Sequence, residues 1–185
     1  MGGPVRRPMT ADEFLAWDDG TDTRHELVDG VVVAMLPPTD AHGTIAGNAW
    51  GEVNNRLEGR PPCRGVMEGG VRLDEGNYYR ADVAATCAGP RGGRYVEDPF
   101  PVVEVLSEST GDRDLGAKTQ RYLELPHLRK IWLIDSRKRW VQVWRRGGGD
   151  TWIVGLPMRG SVGFASEALG GGPVPLDRLY RNTGF

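Results

Sequence analysis

The run Pro101-Val102-Val103-Glu104-Val105-Leu106-Ser107 decides how this 185-residue chain is read. Val102, Val103, Val105 and Leu106 form a nearly unbroken apolar stretch, the pattern of a strand buried on both faces. One carboxylate, Glu104, interrupts it. A buried ionised carboxylate is costly unless it is paired or bound to a metal. The stretch is therefore either an interior strand that carries chemistry or an edge strand with Glu104 in water.

Composition narrows the class. Hydrophobic residues make up 39% and charged residues 26%, which suits a globular chain with one core, a single domain spanning 1–185. No apolar run approaches the ~20 residues that cross a bilayer. The start, 1–9, lacks a signal-peptide pattern and reads as a loose arm. Cys63 and Cys87 have no CxxC partner, so neither a zinc site nor a disulfide framework is indicated, and a reducing cytoplasm is expected. The formal net charge of −2 argues against coating nucleic acid by bulk charge, though not against a local basic groove.

Outward from Glu104, the order of elements is legible. Thr10 caps a short helix over Ala11–Trp17, with Glu13 at the capping-box position and Phe14 and Trp17 on one face. Asp29-Gly30 between apolar runs predicts a hairpin, with Glu26 and Val28 on one strand face. Thr39 or Asp40 begins a helix through Ile45, Trp50, Val53 and Leu57. Gly43, Gly47 and Gly51 weaken that helix, and close packing is one use for them. His42 reads as a surface or capping histidine or as a ligand. Strands are expected over Gly65–Leu73 and Tyr78–Ala85, the second holding Asp82. A flexible loop, 89–94, leads into the Glu104 strand. After the polar connector 107–112, a helix from about Arg113 to Leu125 puts Leu115, Lys118 and Tyr122 on one inward stripe. The alternative for Lys118 is an ion pair with Asp114. Another buried strand follows at Lys130–Asp135, then a hairpin from Trp140 to Val154 and a short element near Leu176–Tyr180. Trp140 and Trp144 suit the core, a dimer contact or stacking on bases.

Two successive strands each hold one acid, Asp82 and Glu104, and a helix brings an inward lysine. Carboxylates that share a site need a cation between them. A magnesium ion takes such oxygen donors, and a lysine beside it can orient or deprotonate a water or neutralise charge on a phosphate.

These residues resemble the Uma-two family of restriction-endonuclease-like proteins, within the wider PD-(D/E)xK nuclease superfamily. The matching stretches are His25-Glu26-Leu27-Val28-Asp29-Gly30, Pro37-Pro38 with His42, Arg80-Ala81-Asp82-Val83, Val103-Glu104-Val105-Leu106-Ser107 with Ser109-Thr110, Asp114 with Lys118 and Tyr122, and Ile131-Trp132-Leu133-Ile134-Asp135. The resemblance runs from about Thr10 to Arg145. It implies Asp82 and Glu104 as metal ligands and Glu26 as a further acidic site residue. Ala81 stands where the superfamily has proline. Leu106 stands where the strand lysine is usual, and Lys118 is expected to replace that lysine from the helix.

The expected fold is an α/β restriction-endonuclease-like core, a mixed central sheet flanked by helices with added hairpins. The expected function is Mg2+-dependent hydrolysis of DNA phosphodiester bonds, with Mn2+ as a substitute. Glu26, Asp82, Glu104 and Lys118 are the catalytic set. Arg80, Lys130 and Arg137-Lys138-Arg139 are candidates for phosphate contacts or ordinary surface charge. A homodimer is expected from the six tryptophans and from the two cuts that a duplex needs. The rival is a catalytically inactive nuclease-fold module that binds nucleic acid or a protein partner.

Overall fold

The structure, a computed structural model, describes residues 7–89, 92–107, 112–170 and 172–185, with the backbone alone at 112–115. The connector at 108–111 and the side chains of Asp114 and Leu115 lie outside the described residues, as do 1–6 of the arm and 90–91 of the loop.

Local chemistry sets the first elements. Helix α1 (Ala11–Ala16) starts with a capping box, in which the Thr10 hydroxyl accepts from Glu13 N and the Glu13 carboxylate accepts from Thr10 N. Strands β1 (His25–Val28) and β2 (Val31–Ala34) pair antiparallel. Their turn residues, Asp29 and Gly30, have φ 47 and 77, the left-handed pair that matches the twist of a tight hairpin. Thr39 caps α2 (Asp40–Leu57), which buries Ile45, Ala49, Val53 and Leu57. A Cβ added at Gly43, Gly47 or Gly51 would meet nothing within 4 Å, so these glycines serve no close packing, contrary to the expectation above.

Strands β3 (Arg64–Arg72) and β4 (Tyr78–Thr86) pair from Arg64 opposite Thr86 to Arg72 opposite Tyr78, with one break at Glu68 and Asp82. That register puts the next residues outward, Cys63 and Cys87, face to face. They form a disulfide with Cα atoms 3.8 Å apart. The expectation of unbridged cysteines is thus corrected. The pair is 24 residues apart in sequence and meets only through the β3–β4 register, so the cysteines no longer argue for a reducing compartment.

Strand β5 (Pro101–Leu106), helix α3 (Asp112–Leu123) and strand β6 (Lys130–Asp135) form a parallel crossover unit. Strands β7 (Val141–Arg146) and β8 (Trp152–Val154) continue antiparallel. Strands β9 (Gly163–Phe164) and β10 (Val174–Pro175) make a separate ladder before α4 (Leu176–Leu179). The central sheet runs β2-β1-β4-β5-β6-β7-β8, with β3 on β4. It is mixed and flanked by helices. Strand β5 has a neighbour on each side, so the edge-strand reading of Glu104 fails.

The two faces of the sheet carry separate cores. One holds Val103, Val105, Trp132 and Ile134 with Ile45 and Val53 of α2 and Leu176 and Leu179 of α4. The other holds Val102, Ile131 and Leu133 with Tyr122 of α3. Trp140, Trp144 and Trp152 pack against this second core, which favours the packing role for the hairpin tryptophans. The Arg146 guanidinium donates to Leu123 O at 3.1 Å and Leu125 O at 2.7 Å, satisfying carbonyls that the end of α3 leaves open.

One feature of the topology positions the site. Strand β4 gives one edge to β3. Its other edge is shared: β1 meets it at Tyr78, and β5 meets it at Val83 and Ala84. Between these contacts β1 and β5 diverge, and the edge of β4 from Tyr79 to Asp82 is left open as a fork.

Candidate active site

Side chains complete the hydrogen bonding that the fork interrupts. Arg80 N donates to Glu26 Oε1 at 2.7 Å, and Val105 N donates to Asp82 Oδ2 at 2.7 Å. Each carboxylate takes the place of a missing ladder carbonyl, since buried backbone N–H groups require partners. An Asp inside β4, poor in strand propensity, is explained by this use.

The four candidates Glu26, Asp82, Glu104 and Lys118 meet at the fork. Lys118 Nζ donates to Glu26 Oε1 at 3.0 Å, to Arg80 O at 2.9 Å and to Glu104 Oε2 at 3.2 Å. All three ammonium protons are therefore placed. Tyr122, one turn after Lys118, donates its phenol proton to Glu104 Oε1 at 2.7 Å. The rings of Tyr79 and Tyr122 lie 5.6 and 6.0 Å from the ammonium, adding weak attraction from their faces. The partners of Lys118 come from β1, β4 and β5, so it is more than a surface pair on its own helix.

Burial dominates the electrostatics. It pushes the Asp82 carboxyl up to about 6, against the opposing pull of Val105 N–H and Lys118. It pushes Glu104 up to about 7, opposed first by Lys118. For Lys118 burial works downward, but Glu104, Glu26 and Asp82 outweigh it and raise its pKa. The ammonium thus stays charged, which suits a cation facing an anion better than a base. Burial and then Glu104 also raise the Tyr122 phenol, so it keeps its proton and donates it to Glu104 as a hydrogen bond.

His42 belongs to this group. Its side chain is 14% exposed, with Nε2 3.5 Å from Asp82 Oδ2 and a buried Nδ1 that has no partner among the described residues. The surface or capping reading is corrected: Thr39 caps the helix, and the first turn carries His42 into the fork. The sequence places Tyr122 on the inward stripe and assigns it no role there. Its spacing of one turn from Lys118 was the available signal.

The other basic candidates are engaged elsewhere. Lys130 is buried and bonds Ala165 O at 2.7 Å and Glu167 Oε2 at 2.5 Å. Arg137 and Lys138 pair with Asp135, and Arg139 pairs with Asp177. Arg80 alone of the set touches the fork, through its main chain.

Comparison with known proteins bears on the family and the fold. A family model described as "Uma2: Putative restriction endonuclease" matches residues 11–156. An uncharacterised protein of Synechocystis sp. is 26% identical over 181 residues, covering 96% of this chain and 94% of its own. The crystal structure of a protein described as a "putative nuclease belonging to DUF820" from Anabaena variabilis superposes with a TM-score of 0.75. That likeness covers 94% of this chain and 98% of the other at 17% identity, and so speaks for the fold. The matched span contains β1, β4, β5 and α3, the elements that build the fork. The chain belongs to the Uma2 family of restriction-endonuclease-like proteins.

Proposed function

We propose that this chain is a metal-dependent endonuclease that hydrolyses DNA phosphodiester bonds. The observation that carries this reading is the convergence of Glu26, Asp82 and Glu104 on one half-buried cation, Lys118, at the fork. Family membership supports it, and so does the arrival of Lys118 from α3 where Leu106 leaves the strand position without a lysine.

The donor set fits a hard divalent ion. Asp82 and Glu104 are oxygen donors whose charged forms burial disfavours, so a cation relieves them. Among the described residues no cluster of three or more His, Cys, Asp or Glu forms an all-protein cage. Mg2+, with Mn2+ as substitute, is held by one or two carboxylates and keeps several waters. When bound by Asp82 and Glu104, such an ion would supply Lewis acidity and a more acidic water.

The chain's own groups have definite tasks. Tyr122 orients Glu104 through its phenol proton. Glu26 Oε1 and Arg80 O hold the Lys118 ammonium, which neutralises charge developing on a phosphate in a water-poor setting. Glu26 Oε2 has no hydrogen-bond partner among the described residues and is the oxygen available to accept a proton from an attacking water. Two such sites would supply the two cuts that a duplex needs, so the reading includes a homodimer. The dimer rests on that requirement, because Trp132, Trp140, Trp144 and Trp152 are committed to the chain's own cores.

One observation favours the inactive binding module: Lys118 already pairs with Glu26 and Glu104 and offsets part of the site's negative charge. Cleavage of plasmid and single-stranded DNA with Mg2+ and Mn2+ separates the two. The endonuclease reading expects the parent to cut and Glu104→Ala to cut at least about a hundredfold more slowly. A folded parent that cuts neither substrate with either metal would leave the binding module.

A further inference from the structure

A cleft of about 620 Å³ adjoins the fork, bounded by the segment after α1, β1, β3, β4 and the loop before β5. Cleft and fork share residues of the same strands. His25 lines the cleft while its neighbour Glu26 serves the fork. Arg80 gives its main chain to the fork and its side chain to the cleft.

Three guanidiniums line the cleft, from Arg64, Arg80 and Arg94. Among the described residues none has a carboxylate partner. Arg64 bonds Ala88 O at 2.6 Å, Arg80 reaches Glu68 O at 3.4 Å, and Arg94 bonds Leu15 O. Among the described residues the buried Arg80 Nε has no partner. The acids on the same walls are engaged: Glu68 pairs with Arg24, Asp19 bonds Thr21 and lies 3.5 Å from His25 Nε2, and Asp18 accepts from Gly20 N. Asp18 and Asp19 keep their charge, so the positive surplus is small, but the three guanidiniums share the opening with the half-buried rings of Trp17 and Tyr95.

Guanidiniums suit phosphate, and aromatic faces suit a base of any sequence. The volume is that of a small-molecule site and admits a nucleotide unit, not a double helix. We propose that this cleft binds an unpaired nucleotide of a nucleic-acid strand. Arg64, Arg80 and Arg94 take its phosphate and Trp17 and Tyr95 its base. The inference rests on the nuclease reading and deepens it: the substrate presents an unpaired stretch beside the bond to be cut.

The test is binding of a short labelled single strand, followed by fluorescence anisotropy in EDTA so that no cleavage occurs. The parent binds the strand at least ~10-fold more tightly than the duplex of the same sequence. Arg94→Glu and Trp17→Ala each weaken strand binding by ~10-fold or more, with circular dichroism unchanged. Should Trp17→Ala misfold, the exposed Arg94→Glu decides. Equal binding of strand and duplex, or full retention of strand binding by Arg94→Glu, overturns the proposal. Deoxyadenosine monophosphate is the second arm. It competes only weakly if the strand is the ligand, whereas affinity equal to the strand's assigns the cleft to free nucleotides and overturns the strand assignment. The two readings fail separately. Strand binding without cleavage sinks the nuclease alone, and duplex cleavage without strand preference sinks the cleft alone.

Discussion

Two neighbouring strands each carry a buried acid, and the two acids behave oppositely. Glu104 of β5 and Asp135 of β6 lie on parallel strands that pair residue for residue. Burial acts on both. At Asp135 it is overcome by Arg137, through side-chain and main-chain donors two residues away, with Lys138 assisting, and the carboxyl ends below its ordinary value. At Glu104 burial wins and the carboxyl ends near 7. The partners of Asp135 come from the turn that follows it, whereas Glu104 meets groups from α3 and shares Lys118 with Glu26 of β1. A locally satisfied acid stabilises a turn. An acid that depends on distant elements and still keeps a raised pKa is a candidate for chemistry.

Substitution should expose that contrast most strongly in the rate. Glu104→Ala is expected to lower metal-dependent cleavage by roughly a thousandfold, the scale of a lost metal contribution. Asp135→Asn should leave the rate within about threefold and lower stability by roughly 1–3 kcal/mol, from the donors of Arg137 left without an ionised partner. Equal rate losses in the two variants would erase the distinction.

Lys118 and Lys130 give the next contrast. Lys118→Met should slow cleavage by roughly a hundredfold or more with the fold intact. Lys130→Met removes a bond to the exposed Glu167 and should change melting temperature, leaving the per-molecule rate nearly unaltered. Unchanged cleavage by Lys118→Met would falsify its catalytic role. A smaller loss is expected from Tyr122→Phe, roughly tenfold, because Glu104 keeps its place on β5 and loses one orienting bond. A loss as large as that of Glu104→Ala would instead make the phenol a reacting group.

The pH dependence separates the acids by sign. A carboxyl whose folded pKa is raised stabilises fully below its unfolded value, and that contribution is lost as pH rises through the folded value. Glu104 therefore withdraws stability from pH 4.5 to about 7, and Asp82 from 3.8 to about 6. Asp135, with a lowered value, contributes above 3.8 and loses its contribution as pH falls. Without divalent metal, the melting temperature of the parent should decline across the Glu104 window. Glu104→Gln should flatten that decline, and Asp135→Asn should not. A melting temperature that rises throughout the window contradicts the burial argument.

Much of this was legible in the sequence, and the limits are physical. Glu104 was visible because one acid broke an apolar run, and Asp82 because aspartate suits a strand badly. Lys118 was visible through its spacing from Leu115 and Tyr122. The Asp29-Gly30 turn and the Thr10 cap depend on residues close in the chain, and both appeared as read. The fork was not legible. It exists because β1 and β5 share one edge of β4, a matter of register between segments far apart. For the same reason His42 looked like a capping residue, and Cys63 and Cys87 looked unrelated. Gly43, Gly47 and Gly51 were open to misreading because helix spacing alone does not tell which side of α2 meets the sheet.

The central claim is that the acids of the fork, and not merely buried acids, hold a divalent ion. Calorimetric titration of Mn2+ tests it without requiring the correct nucleic acid. The account predicts that the parent and Asp135→Ala bind one ion at this site, and that Asp82→Ala and Glu104→Ala, folded by circular dichroism, do not. Equal Mn2+ binding by the parent and Glu104→Ala, or no binding by the folded parent, would contradict it.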